Sequence, residues 1–137
     1  MKKITEEELK TIIEQHNLWL DSDGEKGKRA NLTDMDLSYM DLSIMNLTRA
    51  DFTNANLSHA NLRCANLYRA ILRRADLTRA DLTNVNLYHA NLTGVDLSRA
   101  NLSRADLTDA NLSGANLTNV NLYHANLTGA DLTDTIL

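Results

Sequence analysis

Along most of the chain, apolar and polar positions recur with a period of five. From Ala30 onward the sequence divides into blocks whose places read small, polar, leucine, hydroxyl and variable, as in Ala30-Asn31-Leu32-Thr33-Asp34. Twenty-one complete blocks follow one another without insertion or deletion, then a truncated one, Thr135-Ile136-Leu137. The third place is leucine in every block but one, where it is Phe52. The small place is mostly alanine, with Met35, Met40, Met45, Val85, Val95, Val120 and Thr135 as exceptions. The polar place is Asn twelve times and Asp eight times, broken only by Ile71 and Ile136. A period of five matches neither the strand period of 2 nor the helix period of 3.6, so no long strand or helix can satisfy it. The two apolar places lie two residues apart and so face the same way in extended backbone, with the Asn or Asp between them facing out. The pattern predicts short extended segments joined by corners and wound into coils stacked about 4.8 Å apart.

The first 28 residues follow a different pattern. Leu9, Ile12, Ile13, His16 and Leu20 recur at spacings of three and four, with Trp19 beside the end of the stripe. This predicts an amphipathic helix over 5–20. Thr5 and Glu8 form a capping box, Ile4 and Leu9 a hydrophobic staple, and Asp21-Ser22-Asp23-Gly24 stops the helix. So short a helix is marginal alone in water, and the first coil is the only large apolar surface available to its stripe. Residues 1–28 are therefore expected to form a capping helix and loop, as the end units of solenoids require, and residues 29–137 the repeat array. The cap contacts expected are Leu9, Ile12, Ile13 and Trp19 against Met35, Met40 and Met45, whose adaptable side chains cluster in the first coil. The alternative use of the helix is to bind a partner.

Blocks such as Ala55-Asn56-Leu57-Ser58-His59 and Ala105-Asp106-Leu107-Thr108-Asp109 resemble the pentapeptide-repeat family, and the resemblance runs from residue 30 to 137. It implies an all-β solenoid: a right-handed quadrilateral β-helix with four blocks per coil, about five and a half coils, and an N-terminal α-helical cap. On that model the interior is a column of side chains represented by Phe52, Leu57, Leu77, Leu87, Leu102 and Leu122. Its walls are leucine and alanine and leave no room for a ligand.

Charge and chemistry narrow the function. The net charge of −4 is shared evenly, with residues 1–28 and 29–137 each at −2. Nine arginines in the array face eleven aspartates, so direct nucleic-acid binding is not expected. A single cysteine, Cys64, allows no internal disulfide and fits a reducing compartment. No apolar run of about 18 residues exists and the N-terminus lacks a signal-peptide core, so a cytoplasmic protein without membrane contact is expected. His59, His89 and His124 fall on different faces, and Cys64 has no histidine one coil away. No metal site, cofactor site or catalytic residue is expected.

A near-duplicate separates site from scaffold. Thr83–Asp96 and Thr118–Asp131 differ at one position but lie 35 residues apart, which is not a whole number of twenty-residue coils. Tyr88-His89 and Tyr123-His124 therefore land on adjacent faces. Duplication indifferent to face favours a non-enzymatic scaffold for an unidentified protein partner. Its last coil would leave open backbone edges and apolar groups at Leu117, Leu132, Ile136 and Leu137, a surface for end-to-end homodimerisation. The alternative comes from the resemblance: some family members mimic DNA, inhibit DNA gyrase or topoisomerase, and protect against quinolones. This chain departs from them in its weakly acidic array, in arginines on every face and in having no C-terminal dimerising helix.

Overall fold

The computed structural model describes residues 1–137. Three regular elements precede or open the array: strand β1 (Lys2–Lys3), helix α1 (Glu6–Asp21) and strand β2 (Met35–Asp36). Beyond them, parallel bridges join polar places twenty residues apart, from Asn31 with Asp51 through to Asn116 with Ile136. One turn of the solenoid therefore takes four blocks. Each block makes the same bonds. Leu57 N–H donates to the Asp76 carbonyl at 2.7 Å, Asp76 N–H donates back to Ala55 at 2.9 Å, and His59 N–H donates to Thr78 at 2.9 Å. Successive turns thus satisfy one another's backbone, as buried polar groups require.

The corners show why the period is five. Ala60 N–H donates to the Leu57 carbonyl at 3.0 Å, closing a four-residue turn. The variable residue inside every such turn has positive φ, from Asp34 at 57° to Asp134 at 57°. Positive φ at the third turn residue is type II geometry. Glycine fills this place only at Gly94, Gly114 and Gly129. The most costly occupant is Ile44 at 58°, a β-branched residue for which this conformation is an outlier.

The polar place supports the corner. Every one of the twenty Asn and Asp side chains accepts, through Oδ1, the N–H two residues on. This Asx bond is open only to short side chains with an acceptor in that position, which explains why the outward place is Asn or Asp and not any polar residue. Where the hydroxyl place is Thr, its Oγ1 often donates to the same oxygen, as Thr83 does to Asp81 at 2.6 Å. The hydroxyl and N–H of Ser38, Ser43 and Thr133 hold the Asp36, Asp41 and Asp131 carboxyls below the usual range. At Asp81 burial acts the other way, but Thr83 and Arg63 outweigh it and the carboxyl is again low.

The interior follows the apolar places. Phe52, Leu57, Leu77, Leu87 and Leu102 are fully buried, among alanines that are nearly so. Leu122, expected in the core, is only half-buried, with no turn of the described residues packed on its outer side. No helix is long and apolar enough to cross a membrane.

At the other end, β1 pairs in parallel with β2, Lys2 beside Met35 and Lys3 beside Asp36. Ile4 N–H donates to the Asp36 carbonyl at 3.3 Å, in the register that Leu37 uses with Asn56. Ile4 thus occupies the leucine place of an additional partial turn and is buried. The chain then enters α1 through a complete capping box: Glu8 N–H donates to Thr5 Oγ1 at 3.1 Å, and Thr5 N–H to Glu8 Oε2 at 2.9 Å. Leu9 and His16 are the buried residues of the helix, and Ile12 and Ile13 pack half-buried against the core beside Met35, Met40 and Met45. The return loop closes tightly on α1: Lys28 N–H donates to the Gln15 carbonyl at 3.1 Å, and Gly27, at φ 70°, lies where no Cβ would fit.

Candidate functional site

The two ends of the solenoid differ in kind. At the C-terminal end, the N–H groups of Leu122, Leu127 and Leu132 have no acceptor within the chain, since each would need a carbonyl nineteen residues on. Val120, Leu122, Ala125, Leu127 and Ala130 are half-buried, and Leu132, Ile136 and Leu137 are exposed, Leu137 by 87%. Leu117 does not belong to this surface. It is 4% exposed, one turn back from Leu137 in the leucine column. What remains is an unpaired strand edge backed by apolar side chains.

At the N-terminal end the core is closed and a groove lies beside it. Leu9, Lys10 and Ile13 on α1 face Tyr39, Met40 and Met45 of the first turn across a groove of about 650 Å³, with Glu6, Glu14 and Asp41 on its rim. Tyr39 is 74% exposed and Ile44, at the next corner, 82% exposed. Trp19 is half-buried at the far end of α1, stacked on His16 with ring centres 5.7 Å apart.

His16 is the one buried polar side chain. Its Nδ1 accepts the Ala30 N–H at 3.0 Å, which leaves the neutral ring's proton on Nε2. Nε2 completes no hydrogen bond. Burial pushes the His16 pKa below its ordinary value. The Thr48 backbone draws it back, and the Arg29 charge lowers it further. In the sequence His16 is one member of an apolar stripe, and nothing there announces this role except a titratable residue at a core-facing position.

Along the sides, the variable places stack in columns. Tyr39 and His59 lie face to face at 4.6 Å; in the hydroxyl places alongside, Tyr68 and Tyr88 are tilted with ring centres 5.7 Å apart, and the Arg69 guanidinium sits 5.2 Å from the Tyr68 ring. The column continuing from His59 carries Arg79 and Arg99 beside a shallow polar groove lined also by Thr78, Ser98 and Thr118. Ion pairs on the array are few: Arg29 with Asp51, Arg63 with Asp81 and a 4.0 Å contact between His89 and Asp109. No three His, Cys, Asp or Glu side chains gather in a ligand set, and Cys64 is exposed without such partners. The near-duplicates meet different surroundings: Tyr88 packs on Tyr68, whereas Tyr123 is 64% exposed.

Comparison with known proteins places this geometry. The family model for pentapeptide repeats matches in eight copies, over residues 28–63, 60–99 and 100–137. The pentapeptide repeat protein Rfr23 of the cyanobacterium Cyanothece 51142 is 30% identical, with TM-score 0.57 over 82% of this chain and 67% of that one. A pentapeptide repeat protein of the Arabidopsis thaliana thylakoid lumen is 40% identical over 77% of this chain and 70% of its own, with TM-score 0.48. QnrB1, a plasmid-mediated fluoroquinolone resistance protein, shares the fold at 22% identity, with TM-score 0.67 over 80% of this chain and 58% of its own length. A search of curated proteins finds no match.

Proposed function

Because the chain belongs to the pentapeptide-repeat family, whose members fold as right-handed β-helices, we propose that it acts as a non-enzymatic scaffold. It is a four-sided rod of about five and a half turns, closed at its N-terminal end and self-associating at the other. The observation that carries this reading is the open edge at Leu122, Leu127 and Leu132, backed by exposed Leu132, Ile136 and Leu137. Unpaired edges of this kind recruit further strands, and a second copy supplies a matching one. The closed end gives no such template, since Lys2 and Lys3 charge its outer strand. Sedimentation velocity of the wild type and of a Leu132→Asp/Ile136→Asp variant tests the association. The expected result is a dimer that the variant loses; a monomer at high concentration would sink it.

A second reading, inhibition of DNA gyrase, draws on the fold shared with QnrB1. The nine arginines of the array weigh against DNA mimicry. Inhibition of gyrase supercoiling by the purified protein in the micromolar range would reverse the ranking of the two.

A further inference from the structure

We propose that the groove between α1 and the first turn is a docking site for a basic amphipathic peptide segment of a partner protein. This deepens the scaffold reading by naming what the scaffold holds, and it uses the end opposite to the self-association edge.

Three observations converge there. The first is composition. Leu9, Ile13, Tyr39, Met40 and Met45 form the apolar floor of a groove of about 650 Å³, a size that accommodates several anchoring side chains. Methionines replace alanine in three consecutive small places here and nowhere else in the array. Flexible thioether side chains suit a surface that moulds to a helical segment.

The second is strain. Every corner demands positive φ, and the array meets that demand mainly with polar residues or glycine. At Ile44, immediately before Met45, it holds a β-branched apolar residue at φ 58° with 82% of its surface in water. Neither the backbone nor solvation favours isoleucine at this corner. Strain retained at one place points toward a contact made outside the folded chain. Tyr39, at the preceding corner, lines the groove and is 74% exposed, its ring stacked on His59. Tyr39 immediately precedes Met40 in the groove lining, and Ile44, outside that lining, immediately precedes Met45 within it.

The third is charge. The rim carries Glu6, Glu14 and Asp41 against one cation, Lys10. The Ser43 hydroxyl and N–H hold the Asp41 carboxyl below the usual range, so its charge persists at neutral pH. An acidic rim around an apolar floor complements lysines or arginines flanking apolar anchors.

The test uses the full chain and a fluorescein-labelled fourteen-residue helical peptide of leucine and lysine, read by fluorescence anisotropy. A peptide with glutamate in place of lysine is the control. Tyr39→Asn/Ile44→Asn is the informative variant, because asparagine tolerates positive φ and the fold is retained. The lysine peptide is expected to bind wild type at least about tenfold more tightly than it binds the double variant, and more tightly than the glutamate peptide binds wild type. The Leu132→Asp/Ile136→Asp variant is expected to bind like wild type, so failure of the self-association reading leaves this result intact. Three outcomes overturn the proposal: no binding by wild type, equal binding by the Tyr39/Ile44 variant, or binding lost only with the C-terminal variant. A wild-type dimer that the Tyr39/Ile44 variant abolishes would assign the groove to a second copy and overturn it as well.

Discussion

The Ala30 N–H donates to Nδ1 of His16 at 3.0 Å, joining the cap to the first residue of the array. In every later turn the equivalent N–H finds a carbonyl three residues back, as Ala50 does at Leu47. At Ala30 an imidazole takes that carbonyl's place.

This bond makes the cap sensitive to acid. Protonated His16 would set an N–H against the Ala30 N–H and bury a charge with Arg29 nearby and no carboxylate partner. Its pKa is lowered in the fold, whereas the unfolded chain takes up the proton near its ordinary value of about 6.5. Below that value the unfolded state binds more protons, so stability falls as pH falls. Wild type should melt lower at about pH 5.5 than at about pH 7.5, and His16→Gln, which keeps an acceptor without titrating, should flatten the difference. An unchanged wild-type melting temperature would refute the role.

The leucine column is uniform in sequence but not in energy. Leu87 has neighbours on both sides and is fully buried; Leu132 is 42% exposed. Leu87→Ala should destabilise by about 2–5 kcal/mol, and Leu132→Ala by less than about 1 kcal/mol, in chemical denaturation. Leu87→Asp should disrupt several turns together and reduce the circular dichroism of the array.

Two glycines with the same backbone angle separate conformational strain from crowding. Gly114 has φ 67° and open space where a Cβ would stand, so Gly114→Ala should cost about 1 kcal/mol for the left-handed conformation alone. At Gly27, φ 70°, a Cβ would collide with the Gln15 carbonyl and approach Trp19 N to 2.9 Å. Gly27→Ala should cost more than about 3 kcal/mol and release the cap, visible as a change in Trp19 fluorescence.

Removing an awkward residue should stabilise. Ile71 lacks the Asx acceptor that all twenty Asn and Asp places supply, and the Arg73 N–H donates to no acceptor in the chain. Ile71→Asn restores that bond and extends the polar column between Asp51 and Asn91. The expected gain is about 0.5–1.5 kcal/mol in thermal or chemical denaturation; a loss would mean that Ile71 packing outweighs the bond.

The core was legible because alanine and leucine two apart have one way to face inward, and because the helical stripe needed a partner. The corners were not. Tyr39, Ile44, Arg49 and Cys64 show nothing in their chemistry to announce positive φ, which is imposed by closure of the turn. In sequence Ile4 looks like half of a staple, since Met1–Ile4 does not repeat the motif whose place it fills. Leu122 was placed in the core by its motif, although a repeat motif does not encode whether a further turn lies beneath it. The groove beside α1 depends on where the helix lies across the first turn. The methionines hinted at its floor, but the strain at Ile44 required the backbone angle.

The twenty-residue register gives this protein something like a reading frame. Removing one block keeps every leucine inward, yet shifts every downstream side chain to the neighbouring face. Removing four blocks leaves each remaining side chain on its own face and only shortens the rod. The fold therefore tolerates both events equally, while anything recognised along a side tolerates only the second. A lineage could change length and surface independently, and the seven-block offset between Tyr88 and Tyr123 is a change of phase preserved in the sequence.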